Sequence, residues 1–145
     1  MTKVRLLTYL AGGIGLLDAL YLSWSKLAHQ QVICGTYKGC ETVNSSPYAE
    51  IGGIPIAILG AVAYIAVLAL LYLEGRSTFW QENGPLAIFV ISLAGTLFSA
   101  YLTYLEIAVI HAVCFYCVVS AIAMTAVFAF TIIRLVNPQA ETNPI

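Results

Sequence analysis

Four cysteines, arranged as two close pairs, are the residues in this sequence best suited to chemistry. Cys114 and Cys117 are separated by Phe-Tyr at the start of the last apolar segment, and Cys34 and Cys40 lie in the longest polar stretch. Two cysteines separated by two residues are typical of a redox-active disulfide on a helical turn. The two pairs together predict that electrons pass from a polar loop to thiols on an apolar helix.

The two cysteines of the second pair differ in depth, which suggests a division of work between them. On a helix, Cys117 lies roughly 4.5 Å further along the axis than Cys114, because each residue adds about 1.5 Å. Cys114, near the helix N-terminus, is placed where the helix dipole stabilises a thiolate. We therefore expect Cys114 to exchange disulfides and Cys117 to react with an acceptor that dissolves in lipid, for which a quinone is suitable.

The first pair encloses Gly-Thr-Tyr-Lys-Gly, which predicts a mobile segment able to meet a soluble partner and then the second pair. Other interpretations remain open at this point. Buried cysteines can fill space as small hydrophobic groups, Cys34 and Cys40 can form a static disulfide, and four thiolates can hold zinc. We predict no metal, because the pairs flank a membrane and no histidine-rich or charged surroundings lie near them.

The composition identifies an integral membrane protein. The chain has 145 residues, of which 61% are hydrophobic and 9% are charged, whereas about a quarter of the residues of a soluble domain are charged. The net charge of −1 predicts no nucleic-acid partner. The first apolar run is long enough to span and is followed by no small-residue cleavage site, so we expect a retained helix rather than a signal peptide.

The predicted fold is an all-α bundle of four transmembrane helices in a single domain, residues 1–136. A spanning helix needs roughly 20 mostly apolar residues, and the segments that meet this requirement are 6–27, 54–73, 85–109 and 113–136. A long loop over 28–53 joins the first two. The polar tail, 137–145, is expected to be disordered and cytoplasmic.

The distribution of basic residues predicts the orientation in the membrane. One side carries Lys3, Arg5, Arg76 and Arg134, and the other carries Lys26 and Lys38. Both termini are therefore expected in the cytoplasm, with the long loop and the cysteines on the extracytoplasmic face. That compartment permits disulfides, so the charge distribution and the proposed chemistry agree.

Ionisable residues in or near the apolar segments are further candidates, because they are costly in lipid. Asp18, in the middle of the first span, is expected to face the bundle interior or a polar pocket. Glu106 is expected to reach the membrane interface, with proton handling at a quinone as the alternative. His111 is expected to be a solvated loop residue, although an imidazolium there would lower a thiol pKa.

Tyrosines and a proline give two more expectations about the third and fourth spans. Tyr101, Tyr104 and Tyr116 are candidates to line a quinone pocket, and the alternative is that they are ordinary interfacial aromatic residues. Pro85 is expected in the first turn of the third span, where proline is tolerated.

The cysteine pairs and several residues around them make the sequence resemble the vitamin K epoxide reductase family, in its prokaryotic form. The resemblance covers roughly residues 6–134 and rests on Cys34-x5-Cys40, Val43, Ser46, Tyr48, Gly53-Ile54-Pro55, Tyr64, Cys114-Phe-Tyr-Cys117 and Ser120-Ala121. It implies a four-helix bundle around a quinone pocket.

The resemblance also implies roles for individual residues. Cys34 would meet a thioredoxin-like partner, and Cys40 would pass oxidising equivalents to and from Cys114. Cys117 would be the thiol that reacts with the quinone. Ser46 matches the serine or threonine that the family has near the active site.

The implied activity is that of a membrane thiol–quinone oxidoreductase, which reoxidises a thioredoxin-like partner, passes electrons to ubiquinone or menaquinone and supports disulfide-bond formation. The protein would lie in the cytoplasmic (inner) membrane, in contact with lipid. The alternatives are a reductase of vitamin K or quinone epoxides and a non-enzymatic small transporter subunit with structural disulfides.

Two departures from the family's pattern affect these expectations. Ala121 stands where vertebrate members carry a tyrosine, which counts against epoxide reduction. The sequence has four spans without the thioredoxin-like domain that many prokaryotic relatives carry, so a separate thioredoxin-like partner is expected.

Overall fold

The computed structural model describes residues 3–28, 47, 50–111 and 113–137, and in this part of the chain it shows four long helices. The helices are α1 (Lys3–Leu27), α2 (Ile56–Glu74), α3 (Thr78–Leu105) and α4 (Phe115–Val136). The last turn of the third span is π-helical (Glu106–Ile110). All four are long and apolar enough to cross a bilayer, which confirms the predicted all-α four-helix membrane protein.

The helices pack in a ring. Helix α1 contacts α2 and α4, and α3 contacts the same two neighbours. Large apolar side chains point outwards, including Leu17 and Ile122, which are 70% and 65% exposed. In a chain built to cross a membrane, these exposed apolar side chains form the surface that faces lipid. The helical backbone can lie there because its polar groups are hydrogen-bonded within the helix.

Small residues allow close helix packing, as is usual where lipid removes the hydrophobic drive for association. Gly15 on α1 faces the ring of Tyr64 on α2, so closely that a Cβ built on Gly15 would lie 2.2 Å from Tyr64 Cε1. Tyr64 is fully buried. The close approach of α1 to α2 therefore depends on the missing side chain at residue 15.

We expect Gly15→Ala to destabilise the protein by about 1–3 kcal/mol, the usual effect of overpacking. The added methyl must displace the Tyr64 ring. Gly13→Ala is the matched control, because nothing lies within 4 Å of a Cβ at Gly13; it should be neutral or stabilising by up to about 1 kcal/mol from helix propensity. Thermal unfolding in detergent, followed by circular dichroism, compares the two variants, and equal behaviour would contradict the packing argument.

The third span begins earlier than predicted. Helix α3 begins at Thr78, so Pro85 lies inside it rather than in its first turn. Proline removes one helical hydrogen bond, to the carbonyl four residues before it, and packing here outweighs that loss. Gly84 and Pro85 are buried, and a Cβ on Gly84 would lie 2.6 Å from Glu74 Cγ. The segment before Pro85, predicted to precede the third span, is therefore helical and packs against the end of α2.

The second span begins two residues later than predicted, because residues 54–55 pair in a short hairpin. Strand β1 (Glu50–Ile51) runs antiparallel to β2 (Ile54–Pro55). Gly52 and Gly53 form the turn with φ of 59° and 84°, which are the two positive values that a tight two-residue hairpin requires. The hairpin leads the chain directly into α2.

Charged residues mark the two ends of the bundle. At one end Arg134 donates to Glu74 Oε2 at 2.6 Å, with both side chains almost fully buried, and Arg5 donates to the Leu71 carbonyl. At the other end Lys26 lies 3.4 Å from Glu50. The described basic residues are thus divided between the ends as the sequence predicts, while Lys38, most of the 28–53 loop and nearly all of the 137–145 tail lie outside the described residues.

Candidate active site

Cys114 and Cys117 lie at the N-terminus of α4. Cys114 is the N-cap residue, with extended backbone (φ −92°, ψ 123°), and its carbonyl accepts the first helical hydrogen bond, from Val118 N at 3.1 Å. Cys117 is three residues further, in the first turn. Cys114 is 1% exposed and Cys117 is half-buried, and both are free thiols. Both cysteines therefore lie at the start of the fourth helix, as the sequence predicts.

Glu106 lies beside this pair, and the expectation that it reaches the membrane interface is wrong. The side chain is 3% exposed, and Glu106 Oε2 accepts a hydrogen bond from the Cys114 N–H at 3.3 Å. The carboxyl also hydrogen-bonds to the Cys117 thiol. Glu106 begins the π-helical turn, a deviation that is frequent at functional sites. Glu106 continues the cavity-facing row of Ser99 and Leu102 at helical spacing, so the rotation of this helix about its axis, which the sequence does not reveal, turns the carboxyl inwards.

Hydrogen bonding from the Cys117 side chain lowers the pKa of Cys114 below its ordinary value. Burial opposes this effect, because a thiolate loses hydration there. The backbone N–H groups of Cys117 and Tyr116 lower the pKa further, and the Glu106 carboxylate raises it. The net direction is downward, so Cys114 is the thiol of the pair that the helix end activates as a nucleophile.

The two cysteines open onto a cavity of about 340 Å³ inside the bundle. All four helices contribute to its walls, and most of the contributing side chains are apolar, among them Leu22, Ala63, Phe98, Leu102 and Met124. An apolar cavity with a few polar groups on its wall is typical of a small-molecule site. The cavity therefore connects the redox-capable pair with a space suited to an apolar ligand.

The polar groups on the cavity wall, apart from the thiols, include Asp18, Tyr64, Glu106 and Ser120. The Tyr64 hydroxyl donates to the Ser120 carbonyl at 2.7 Å and lies 3.1 Å from Ser120 Oγ. This hydrogen bond joins α2 to α4 one turn below Cys117. Asp18 is 9% exposed, as expected for a residue that faces the interior.

The candidate tyrosines are not brought to the cavity. Tyr101 and Tyr104 are 55% and 63% exposed, and neither is among the described residues that line it. Tyr116 does not line it either, but packs against Tyr21 with ring centroids 5.1 Å apart, close to Cys114. Their neighbours Phe98, Leu102 and Cys117 face inwards instead, because consecutive residues point around the helix.

The remaining candidates are placed as follows. His111 is exposed and left-handed, with φ of 57°, at the end of the π-helical turn, as expected for a loop residue. Cys34, Cys40 and Ser46 lie outside the described residues, and so do Val43 and Tyr48. Their predicted roles therefore remain predictions.

Comparison with known proteins supports the relationship that these residues indicate. The model of the vitamin K epoxide reductase family matches residues 6–132. The thiol-disulfide oxidoreductase LTO1 of Arabidopsis thaliana is 35% identical over 123 residues, which cover 81% of this chain and 33% of LTO1. The chain thus spans about one third of the length of that relative. The family's model matches nearly all of this chain, and Cys114 and Cys117, the inner pair, lie at the start of its fourth helix. This chain therefore belongs to the vitamin K epoxide reductase family.

Proposed function

We propose that this protein is a membrane thiol–quinone oxidoreductase. It reoxidises a partner of the thioredoxin type and passes the electrons through Cys34 and Cys40 to Cys114 and Cys117, and then to ubiquinone or menaquinone. The result is net disulfide-bond formation in other proteins. The relative LTO1 is named as a thiol-disulfide oxidoreductase, which supports the thiol half of this activity.

The observation that carries the proposal is that both thiols of the inner pair line one apolar cavity. Its volume of about 340 Å³ lies within the range of roughly 300–1,000 Å³ typical of small-molecule sites. Apolar walls with two thiols and two carboxyls suit a flat, lipid-soluble ring with polar oxygens. The residues therefore fit a quinone, which when bound would accept two electrons and two protons.

The protein's own groups divide the thiol chemistry. A thiolate of the outer pair, Cys34 and Cys40, attacks the Cys114–Cys117 disulfide at Cys114. The outer disulfide then closes and releases Cys114 as a thiolate, because a thiol with a lowered pKa leaves faster. Oxidation by the quinone re-forms the bond between Cys114 and Cys117. Glu106 positions both, since it accepts from the Cys114 N–H at 3.3 Å and is bonded to the Cys117 thiol, whose proton it can hold.

The cysteine end of the bundle is proposed to face the extracytoplasmic side. Arg5 and Arg134 lie at the end opposite to Cys114, which is the arrangement that the positive-inside rule places in the cytoplasm. Disulfides persist in oxidising compartments and are rare in the cytosol. Charge and chemistry therefore favour the same orientation, with both termini cytoplasmic.

We expect purified protein in lipid nanodiscs, mixed anaerobically with a reduced thioredoxin-fold protein and short-chain ubiquinone or menaquinone, to form one partner disulfide for each quinone reduced. Quinone absorbance and mass spectrometry of the alkylated partner measure the two quantities. Protein whose thiols were first blocked with N-ethylmaleimide is the control and should be inactive.

Two results would contradict the proposal. If the free-thiol count of the protein stayed constant after the partner was added, its disulfides would be structural, as in the transporter interpretation. If the partner were oxidised while the quinone remained unchanged, the electrons would have another acceptor. Labelling of intact cells with an impermeant thiol reagent, after mild reduction, tests the orientation separately.

A further inference from the structure

Asp18 is a buried acid that the thiol chemistry above does not use. It is 9% exposed, lies in α1 and lines the cavity. Within the part of the chain that the structure describes, Asp18 Oδ2 has no hydrogen-bond partner, and Asp18 takes part in no described salt bridge. An ionised carboxylate without a cation is costly in apolar surroundings, so the neutral acid is the stable form. Asp18 therefore holds a proton inside the cavity.

The position of Asp18 is deeper than that of the thiols. Leu22 on α1 packs against Cys114, which marks the level of the outer end. Asp18 precedes Leu22 by four residues, which is roughly 6 Å further into the membrane along the helix. Ala19, next to it, belongs to the same buried cluster as Met124, which lies two turns along α4 from Cys117. The cavity thus extends from the thiols at one end to a carboxyl at a deeper level.

The two acids of the cavity, Glu106 and Asp18, lie at different depths. Glu106 is held at the thiols by the Cys114 N–H, whereas Asp18 lies a turn or more below them. Reduction of a quinone places protons on two oxygens on opposite sides of the ring. A single acid beside the thiols cannot reach both, so a second donor at a different depth is required.

We propose that Asp18 is the proton donor to the quinone oxygen that lies away from the thiols. The proposal rests on the proposed thiol–quinone activity and adds to it the source of the second proton. It assigns to α1 a reacting group, where the cysteine pattern points only to the loop and to α4.

The step balances as follows. The Cys114 thiolate and the Cys117 thiol form one S–S bond, and two electrons leave the pair. The Cys117 proton passes, directly or through Glu106, to the near oxygen, and the Asp18 proton passes to the far one. Asp18 is left as a carboxylate, so the charge of −1 is conserved, and it regains a proton from water after the hydroquinone leaves.

The decisive comparison is between Asp18→Asn, which keeps the shape but has no acidic proton, and Asp18→Glu, which keeps the acid. We expect Asp18→Asn to slow the single-turnover oxidation of the Cys114–Cys117 pair by quinone about 100-fold or more, the usual contribution of a general acid. Asp18→Glu should restore much of the rate. Quinone affinity, measured by equilibrium binding, should remain within about threefold in both variants, which separates proton transfer from binding.

Infrared difference spectroscopy supplies a readout independent of turnover. Wild-type protein should show a protonated carboxyl band that changes when the bound quinone is reduced, and the band should be absent from Asp18→Asn and displaced in Asp18→Glu. Ser23→Ala is the control for folding, because Ser23 is buried in the same helix but bonds only to the Ala19 carbonyl among its described contacts, at 2.7 Å.

Three results would overturn the proposal: an unchanged rate in Asp18→Asn, a loss of affinity that accounts for the whole loss of rate, or a wild-type spectrum without a protonated carboxyl band at this residue. If Asp18→Asn fails to fold, Asp18→Glu and the wild-type spectrum decide. If wild-type protein does not oxidise its cysteine pair with quinone, the proposed function itself fails, which is a different outcome from an active wild-type with an indifferent Asp18.

Discussion

Replacing Cys117 with alanine is expected to abolish quinone reduction while leaving thiol exchange at the outer pair intact. Among the described residues, Cys117 is the one cysteine with which Cys114 can form a disulfide. Cys117 also lines the cavity. Without it, the two electrons have no donor beside the ligand space. We expect the turnover to fall roughly a thousandfold or more, as when one member of a reacting unit is removed.

Quinone absorbance under anaerobic conditions measures this loss, and non-reducing mass spectrometry measures partner adducts at Cys34. Val118→Ala is the matched control: it shortens the next side chain of α4, which is not among the residues that line the cavity. The control should retain activity. Turnover at the wild-type rate in Cys117→Ala would assign quinone reduction to another group and reject the role given to Cys117.

Breaking the buried ion pair at the opposite end of the bundle is expected to cause the largest loss of stability. Arg134 and Glu74 are bonded at 2.6 Å with side chains 2% and 4% exposed. Removing one partner of such a pair typically costs about 3–5 kcal/mol, because the other charge remains buried. We expect Glu74→Gln and Arg134→Met each to lower the unfolding free energy by about this amount.

The double variant Glu74→Gln/Arg134→Met is the informative control, because a buried pair replaced on both sides is often nearly neutral. It should recover most of the stability that either single variant loses. Lys26→Ala tests a partly exposed pair, Lys26–Glu50 at 3.4 Å, and should cost no more than about 1 kcal/mol. Thermal unfolding in detergent provides the comparison, and equal losses in Glu74→Gln and Lys26→Ala would contradict the importance of burial.

The predicted third span is too short at its N-terminal end. Glu82, Asn83 and Gly84 interrupt the apolar run before Pro85, so the pattern places the start of the span at residue 85 although α3 begins at Thr78. In the structure Glu74 is the last residue of α2, and Gly84 packs on its side chain. A charge at the end of an apolar segment looks the same in sequence whether it faces water or a buried arginine from another helix.

The sequence by itself determined the features that depend on local spacing. The length of the apolar runs defined four membrane-spanning helices, because the bilayer thickness fixes how many residues must be apolar. Cys114 and Cys117, three residues apart at a helix start, were predicted beside one another because helix geometry places such residues on one face. The division of basic residues between the two ends likewise followed from the order of spans along the chain.

Only the tertiary structure decided which side chains meet across helices. The inner and the lipid-facing sides of these helices are both apolar, so the hydrophobic pattern does not reveal how each helix is rotated about its axis. That rotation turns Tyr101 and Tyr104 outwards and Glu106 inwards, where its carboxyl accepts a hydrogen bond from the Cys114 N–H. The same packing places Asp18, almost a hundred residues away in sequence, on the wall of the cavity that the two cysteines share.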